Sequence, residues 1–285
     1  MITATRYRAL AEINRQSKLG AEIARAQSDI STGKRLQAAS DDPIAAARVS
    51  ELRRAQADQA VWTRNIQTAK SVAAQVDTAM SNVGDIFNRV KELTLAGATE
   101  SVSPSDRQAI VQELASLRTS LANIQTSTTP TGQPLFPTDA PLQVSTSATQ
   151  RLSATAQRSD VFEGIAFAHG ADTLDWVIGD AIAAISTDDV TTRRALSDAN
   201  LSDVDIAITH VTDQRAAQGV RAAQLDVAAD TIEEASTQLA EERSSLEDTD
   251  VAATVMKLNA KTLSLQAAQA AFAKVNRNTL FDFLS

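Results

Sequence analysis

The side chains that could bind a metal ion or transfer a proton are few and widely separated in this sequence. There are two histidines, His169 and His210, and no cysteine. His169 lies in a glycine-flanked loop and His210 lies beside an apolar stripe, and neither has a second histidine or a cysteine at metal-ligand spacing. We therefore interpret both as solvated or packed side chains rather than as metal ligands.

Two acidic pairs and one glycine–lysine step also invite a chemical interpretation. Asp41-Asp42 and Asp188-Asp189 could be acid pairs or a cation site, but helix capping and turn formation explain both better. Thr32-Gly33-Lys34 lacks the upstream glycine and the following Ser or Thr of a phosphate-binding loop. The sequence contains no GxSxG and no GxGxxG motif. We therefore predict that this protein is not an enzyme and uses no cofactor or metal.

The composition favours thin helical bundles over a thick globular core. Of 285 residues, 4% are aromatic and nine are glycine. The net charge is −8 and no basic tract is long enough to follow a phosphate backbone, so we expect no nucleic-acid partner. No apolar run approaches the roughly 18 residues that span a bilayer, so we expect no membrane insertion. The N-terminus shows no Sec signal, which implies a cytoplasmic protein or export with the N-terminus intact.

A sustained heptad pattern predicts one long helix in the first half of the chain. Asp41 or Asp42 can cap it, and Pro43 suits its first position. Gly97 ends it. More than four heptads without a miss indicate a coiled-coil-like seam. The seam residues are Trp62, Ile66, Ala69, Ala73, Val76, Met80, Val83, Phe87, Val90 and Thr94.

Three further helices follow from start signals and apolar spacing. Ser103 and Pro104 open one, with a seam from Ile110 to Ile124. A second begins at Thr173. We expect Ser202 to cap a long final helix after a separate short segment. Its predicted seam is Val204, Ile208, Val211, Arg215, Gln218, Ala222, Leu225, Ala229, Ile232, Ser236 and Leu239.

A short proline-rich and Ser/Thr-rich stretch separates these helices. Four of the six prolines lie between Pro130 and Pro141. Alternation over 142–146 and 152–156 suggests two short strands of a hairpin, and 161–165 suggests a further strand or turn. We predict a small inserted domain here.

Both ends of the chain carry helical apolar stripes that need another helix to pack against. Residues 2–30 show a seven-residue step, and Val251, Leu258, Leu265 and Phe272 form a stronger one. The last stretch is alanine-rich on nearly all sides, so it should pack against other helices. We expect an assembly interface formed by Ile13, Ile23, Ile30, Val251, Leu258, Leu265 and Phe272.

The predicted fold class is therefore mainly α. A long coiled-coil-like helical rod is formed by N- and C-terminal segments, with a small inserted, partly β domain. The terminal helices, or assembly domain, comprise residues 1–44 and 247–285. The rod comprises 45–128 and 172–246, and the variable insert comprises 129–171.

Four segments of this chain resemble the bacterial flagellin superfamily. They are STGKRLQAASDDPIAAARV at 31–49, RVKELTLA at 89–96, RAAQG at 215–219, and the C-terminus from 246 to the closing LFDFL. Their order and spacing agree as well as their content. The family motif residues are Asp41, Asp42, Pro43, Arg215, Gly219, Leu280 and Phe281.

Within that superfamily the chain most resembles the hook-associated branch, the hook–filament junction proteins of the FlgL type. Filament flagellins usually continue after the paired aspartates with Ala-Ala-Gly, whereas Asp-Asp-Pro-Ile-Ala is typical of the junction form. One departure is the start of the insert. There Gly132-Gln133-Pro134-Leu135-Phe136-Pro137 replaces the Gly-Arg-Tyr-Leu-Phe-Ala-Gly that junction proteins often carry, so the shape of the insert is not carried over.

The resemblance implies an extracellular structural component of the flagellum, exported unfolded by the flagellar type III apparatus. The implied partners are other copies in a ring, a hook-associated protein of the FlgK type on the hook side, flagellin on the filament side, and an export chaperone on the C-terminal helix. The terminal helices would become ordered on packing against neighbours.

Two other hypotheses remain open at this point. The first is a filament flagellin, against which the Asp-Asp-Pro-Ile-Ala form and the Leu-Phe-Asp-Phe-Leu end both argue. The second is a cell-surface binding module that uses the insert. That module would need a solvent-lined aromatic groove made from Phe136, Phe162 and Phe167.

Overall fold

Long helices dominate the computed structural model, which describes residues 2–281 and the side-chain surroundings of residues 7 and 9–274. Within that range the chain forms seven helices and two small antiparallel hairpins, as the predicted mainly α class requires. In chain order the elements are α1 (Ile2–Thr32), α2 (Pro43–Gly97), α3 (Pro104–Gln125), β1 (Gln143–Ser145), β2 (Arg151–Ser153), α4 (Arg158–Phe162), β3 (Ile165–Phe167), β4 (Gly170–Asp172), α5 (Leu174–Ser186), α6 (Val190–Glu247) and α7 (Val251–Phe281).

The chain divides into two compact units, each containing residues distant in sequence. One, the terminal unit, contains the residues up to Ala57 together with those from Ser236 onward; the other, the central unit, is Asp58–Ala235. The three-part division predicted from sequence, with limits at 44/45, 128/129, 171/172 and 246/247, stays a prediction.

Side-chain caps start two of the long helices where the sequence predicts them. The Oδ1 of Asp42 accepts a hydrogen bond from the backbone N of Ala45 at 3.0 Å, and Pro43 is the first helical residue of α2. At α3 the Oγ of Ser103 accepts from the backbone N of Asp106 at 3.1 Å. Each cap satisfies a backbone N–H that the first helical turn leaves free, so both starts are encoded locally.

The predicted seam of α2 forms the centre of the core of the central unit. From Ile66 to Thr94 every seam residue is buried, and Trp62 is half-buried. Phe87 is fully buried. Burial of a side chain of this size contributes about 1.5–3 kcal/mol. The main partners are buried residues of α3, α5 and α6, namely Leu114, Leu121, Leu174, Val177, Ala181, Ile185, Val204 and Val211.

The predicted start of the final rod helix at Ser202 is wrong. α6 is continuous from Val190, and Asp189 caps it: its Oδ2 accepts from the backbone N of Thr192 at 2.7 Å and its carbonyl accepts from the backbone N of Arg193 at 2.8 Å. Ser202 lies inside the helix and donates from Oγ to the carbonyl of Asp198 at 3.4 Å.

The missed segment of α6 buries polar residues, which explains the error. Arg193, Ser197 and Asn200 face inward although none is apolar. Asn200 donates from Nδ2 to the carbonyl of Val177 at 2.9 Å, which ties this part of α6 to α5. A search for apolar periodicity does not detect a buried face that is polar.

The insert contains the predicted hairpin and a second one. β1 and β2 pair antiparallel with Val144 opposite Leu152. The stretch 161–165, expected to be a further strand or turn, overlaps a strand only at Ile165, where β3 begins, and the partner strand β4 was not predicted. Val161 and Phe162 belong instead to the short helix α4.

Candidate assembly interface

The first and last helices pack against each other within the terminal unit. Residues that are half-buried or buried recur on both helices at alternating steps of three and four, which is the spacing of a coiled-coil seam. On α1 they are Ala9, Glu12, Gln16, Leu19, Ile23, Ala26 and Ile30; on α7 they are Thr254, Leu258, Lys261, Leu265, Ala268 and Phe272.

The seven residues predicted for the assembly interface do not share one environment. Five of them, Ile23, Ile30, Leu258, Leu265 and Phe272, are on the half-buried stripes of the α1–α7 pair. Ile13 and Val251 are exposed, at 52% and 47%. The single chain thus brings five together on the seam side and leaves two facing solvent.

Several large apolar side chains on the terminal helices are exposed to solvent. On α7 the exposed residues Met256 and Leu263 are seven apart, opposite Leu258 and Leu265. Among the α1 residues whose surroundings are described, the exposed large apolar side chains are Tyr7, Leu10 and Ile13. Large exposed apolar side chains that share a helix face mark a site of association. Sequence reasoning missed Met256 and Leu263, although their seven-residue spacing is itself a detectable signal.

One ion pair crosses the terminal helix pair. The Nζ of Lys261 on α7 lies 3.0 Å from Oε2 of Glu22 on α1. Both side chains are more than one-third exposed, so the pair adds little to stability.

A buried carboxylate joins the loop after α1 to the end of α6. Glu247 is 4% exposed. Its Oε1 lies 2.5 Å from Nη2 of Arg53, and its Oε2 lies 3.3 Å from Nζ of Lys34 and 3.7 Å from Nε of Arg243. Burial alone would raise the pKa of Glu247, but the hydrogen bonds from Lys34 and Arg53 outweigh it, so its pKa lies below the ordinary value. The carboxylate therefore stays charged and holds three cations.

The backbone reinforces this connection. The carbonyl of Glu247 accepts from the backbone N of Arg35 at 2.8 Å and of Leu36 at 3.2 Å, while the N of Thr249 donates to the carbonyl of Gly33 at 2.9 Å. Gly33 has φ +68°, a conformation that residues with a Cβ rarely adopt. The two chain segments between terminal helices and rod helices are thus paired as a short ladder.

Asp41 and Asp42 of the family motif have different roles. Asp42 is the cap of α2, which decides between the two caps that the sequence allowed. Asp41 accepts two bonds from the Arg25 guanidinium, with Nη1–Oδ1 at 2.9 Å and Nη2–Oδ2 at 2.6 Å. Its Oδ2 also accepts from the backbone N of Gln37 and of Ala38. The Arg25 hydrogen bonds in particular hold the pKa of Asp41 well below its usual range. The tie to Arg25 was not predicted, because it joins residues 16 apart.

The family segment from Arg215 to Gly219 contains a buried polar residue, Gln218. Gln218 is 1% exposed and donates from Nε2 to the carbonyl of Ala154 at 3.0 Å. The Nη1 of Arg221 donates to its Oε1 at 3.2 Å. Arg215 pairs with Asp77 of α2 at 3.4 Å. A Cβ at Gly219 would meet no atom within 4 Å, so packing does not explain that glycine.

The remaining motif residues are at the C-terminal end. Phe281 is the last residue of α7. The side chains of Leu280 and Phe281 lie outside the described surroundings, so their predicted role stays a prediction.

The two histidines have different surroundings, since His210 is half-buried and His169 is exposed. His210 places Nε2 3.0 Å from the carbonyl oxygen of Asp160, and the His169 ring stacks on Phe167 with ring centroids 5.6 Å apart. No group of three or more His, Cys, Asp or Glu in the described part of the chain is arranged to hold a metal ion. Across the same residues, no helix has the length and apolarity needed to span a membrane.

The three phenylalanines of the insert are buried rather than solvent-lined. Phe136 and Phe162 meet edge to face with centroids 4.9 Å apart, and Phe167 is 7% exposed. They belong to the hydrophobic core of the central unit, so they do not provide the aromatic groove that the binding-module hypothesis needs.

Comparison with known families matches both ends of the chain. The family model described as the bacterial flagellin N-terminal helical region matches residues 4–139, and the one described as the bacterial flagellin C-terminal helical region matches residues 201–284.

Individual relatives include both filament and hook-associated proteins. A Flagellin of Bacillus subtilis is 26% identical over 94% of this chain and 94% of its own length. The Flagellar hook-associated protein 3 of Escherichia coli is 31% identical over 38% of this chain and 34% of its own length.

Solved structures share the fold. A protein of Vibrio parahaemolyticus described as flagellar hook-associated superimposes with a TM-score of 0.66 at 19% identity, covering 73% of this chain and all of that chain. The flagellar junction protein FlgL of Legionella pneumophila gives 0.56 at 13% identity, covering 70% of this chain and all of that chain.

Proposed function

This chain belongs to the bacterial flagellin family, and from that membership we propose that it is the adaptor at the hook–filament junction. In this role it is a structural protein that joins a hook-associated protein to the flagellin filament. The observation that carries the proposal is made in the terminal unit. There α1 and α7 pack against each other along a seam, while Met256 and Leu263 of α7 remain exposed on the opposite side. A helix pair with an apolar outer face is suited to packing in a ring of copies.

The assembly residues proposed from the sequence would act in two layers. Ile23, Leu258 and Leu265 would stabilise the helix pair itself, while Ile13 and Val251 would contact a neighbouring subunit. Burial of an exposed apolar side chain contributes about 1.5–3 kcal/mol, so a few such residues from each copy are enough to favour the assembled ring.

The junction role, rather than the filament role, is supported by the residues at the start of α2. They are Asp-Asp-Pro-Ile-Ala, which resembles the form typical of junction proteins. A Flagellar hook-associated protein 3 is also among the relatives. In this proposal a FlgK-type protein lies on the hook side and flagellin on the filament side.

Export is the other part of the proposal. The chain would leave the cell unfolded through the flagellar type III apparatus and function outside it. The alanine-rich α7 has an apolar outer face, which suits it to bind an export chaperone before secretion.

A filament flagellin is the second candidate. It is favoured by the full-length similarity to the Flagellin of Bacillus subtilis, which covers 94% of both chains. In that case copies of this chain would form the propeller itself.

Electron microscopy of a strain that lacks this gene separates the two candidates. We expect bare hooks, with flagellin shed into the medium and measured there by immunoblot, and recovery of filaments when the gene is supplied in trans. Filaments that persist with altered length or curvature would instead favour the filament flagellin.

A further inference from the structure

An apolar groove lies on the central unit between α2, the β1–β2 hairpin and α6. Its volume is about 630 Å³. Its lining includes Trp62 of α2, Leu152 of β2, and Val220, Val227 and Ile232 of α6. From Val220 to Ala235 the α6 side extends about 22 Å at the helical rise per residue. The groove is therefore long enough for about four turns of another helix.

The groove is open and its wall is held in place. Val220 and Val227 are 59% and 64% exposed and seven residues apart, so they form a stripe along α6 that the chain leaves facing solvent. The hairpin wall is fixed to α6 by the hydrogen bond from Gln218 to the carbonyl of Ala154. A preformed apolar groove of this kind suits an amphipathic helix.

The part of α6 beside the groove is acidic. Between Val220 and Ala235 it carries four acidic residues and one basic residue, a formal charge of −3. Asp230 and Glu234 are exposed on the same length of α6 as Val227. The preferred occupant is thus a helix that is apolar on one face and basic.

α7 has these properties. Its sequence has four basic residues and no acidic one. Its exposed residues Met256 and Leu263, 67% and 68% exposed, repeat the seven-residue spacing of Val220 and Val227. They lie on the side of α7 opposite Leu258 and Leu265, so the α1–α7 seam leaves them available.

We propose that the groove binds the outer face of α7 from a second copy of this chain. The contact is heterologous, because one copy contributes the groove and the next contributes the helix. A heterologous contact repeated around a rotation axis closes into a ring. The inference deepens the proposed function, since it rests on a ring of copies and names the two surfaces that join them.

Cysteine cross-linking tests this contact directly. The natural chain has no cysteine, so any disulfide must form between the engineered cysteines. Full-length Val227→Cys and Leu263→Cys chains carry different tags and are mixed under mild oxidation at rising concentration. We expect a disulfide-linked dimer containing one chain of each kind. The double variant should form a ladder of linked chains on a non-reducing gel. Both sites are highly exposed, so the substitutions should leave the circular dichroism spectrum unchanged.

The matched control moves the groove cysteine to another exposed residue of the central unit. Leu95 of α2 is 50% exposed and lies outside the groove. A mixture of the Leu95→Cys and Leu263→Cys chains should therefore give little disulfide-linked dimer. Asp230→Lys should slow ladder formation on the order of fivefold, as expected for replacing an attractive contact by a like-charge one. Asp85→Lys on the exposed side of α2 should not.

Three results would overturn the inference. They are an absence of mixed dimers, an equal yield with the Leu95 control, and a double variant that links only within one chain. The junction role fails separately. If the deletion strain sheds flagellin but the double variant forms no ladder, the junction role is supported and this contact is rejected. If the ladder forms but filaments persist in the deletion strain, the contact is supported and the junction role is rejected.

Discussion

Arg25 of α1 and Asp41 of the loop before α2 are joined through both oxygens of the carboxylate, at 2.9 Å for Nη1–Oδ1 and 2.6 Å for Nη2–Oδ2. A two-point contact fixes the orientation of both groups as well as their separation. It folds the motif loop back onto α1, next to the Lys34–Glu247 pair.

Asp41→Asn should lower the melting temperature at neutral pH, and the decrease should become smaller at acidic pH. The folded-state pKa of Asp41 lies below its ordinary value of 3.8, so the charged form stabilises the fold above that pH. The contribution is lost as the pH falls below 3.8 toward the depressed folded-state pKa. Melting curves of both proteins across this range should converge. Asp85→Asn, on the exposed side of α2, serves as the control; a constant difference between Asp41→Asn and the natural chain at every pH would contradict the assignment.

Glu247→Gln should destabilise the protein because it leaves three cations around an uncharged side chain. Lys34, Arg53 and Arg243 are partly exposed, so water reduces the penalty, and we expect a loss of about 1–2 kcal/mol in the free energy of unfolding. Denaturant unfolding measures it. The matched control is Glu242→Gln, which removes an exposed pair with Arg48 and should cost less than about 0.5 kcal/mol. An equal decrease in the free energy of unfolding in the two variants would show that the buried Glu247 contributes no more to stability than an exposed ion pair.

Gln218→Ala should loosen the β1–β2 hairpin. The substitution leaves the carbonyl of Ala154 without its donor in a buried position, at a cost of about 1–3 kcal/mol. Hydrogen exchange should become faster in residues 142–155 than in α3. Gln224→Ala, one of the exposed glutamines of α6, is the control and should leave the exchange unchanged. Unaltered protection of the hairpin in Gln218→Ala would argue against this role.

Leu265→Asp should block incorporation into flagella while the central unit stays folded. The charge falls on the half-buried seam of α7, where it disfavours the α1–α7 pair. Incorporation is scored by electron microscopy and motility, and folding by circular dichroism of the purified chain. Ser264→Asp places the same charge on the neighbouring exposed position and should be tolerated. Normal incorporation of Leu265→Asp would reject the seam as an assembly element.

The sequence by itself determined the features that depend on near neighbours in the chain. The starts of α2, α3 and α5 follow from caps at Asp42, Ser103 and Thr173, which satisfy N–H groups only three residues away. The seam from Ile66 to Thr94 follows from a period that any buried helix face must show. The β1–β2 hairpin follows from strand alternation, although its ladder is short.

Only the tertiary structure decided the features that depend on distant partners. α6 continues through Ser202 because the buried Arg193 and Asn200 donate hydrogen bonds to the carbonyls of Thr187 and Val177, and no local pattern marks a polar face as an inward one. Asp41 was expected to cap or turn, but it binds Arg25, which lies 16 residues away. The heptads at the two ends predict a seam but leave open which face of α7 meets α1. That choice depends on the packing of two helices more than 200 residues apart, and it is what leaves Met256 and Leu263 exposed.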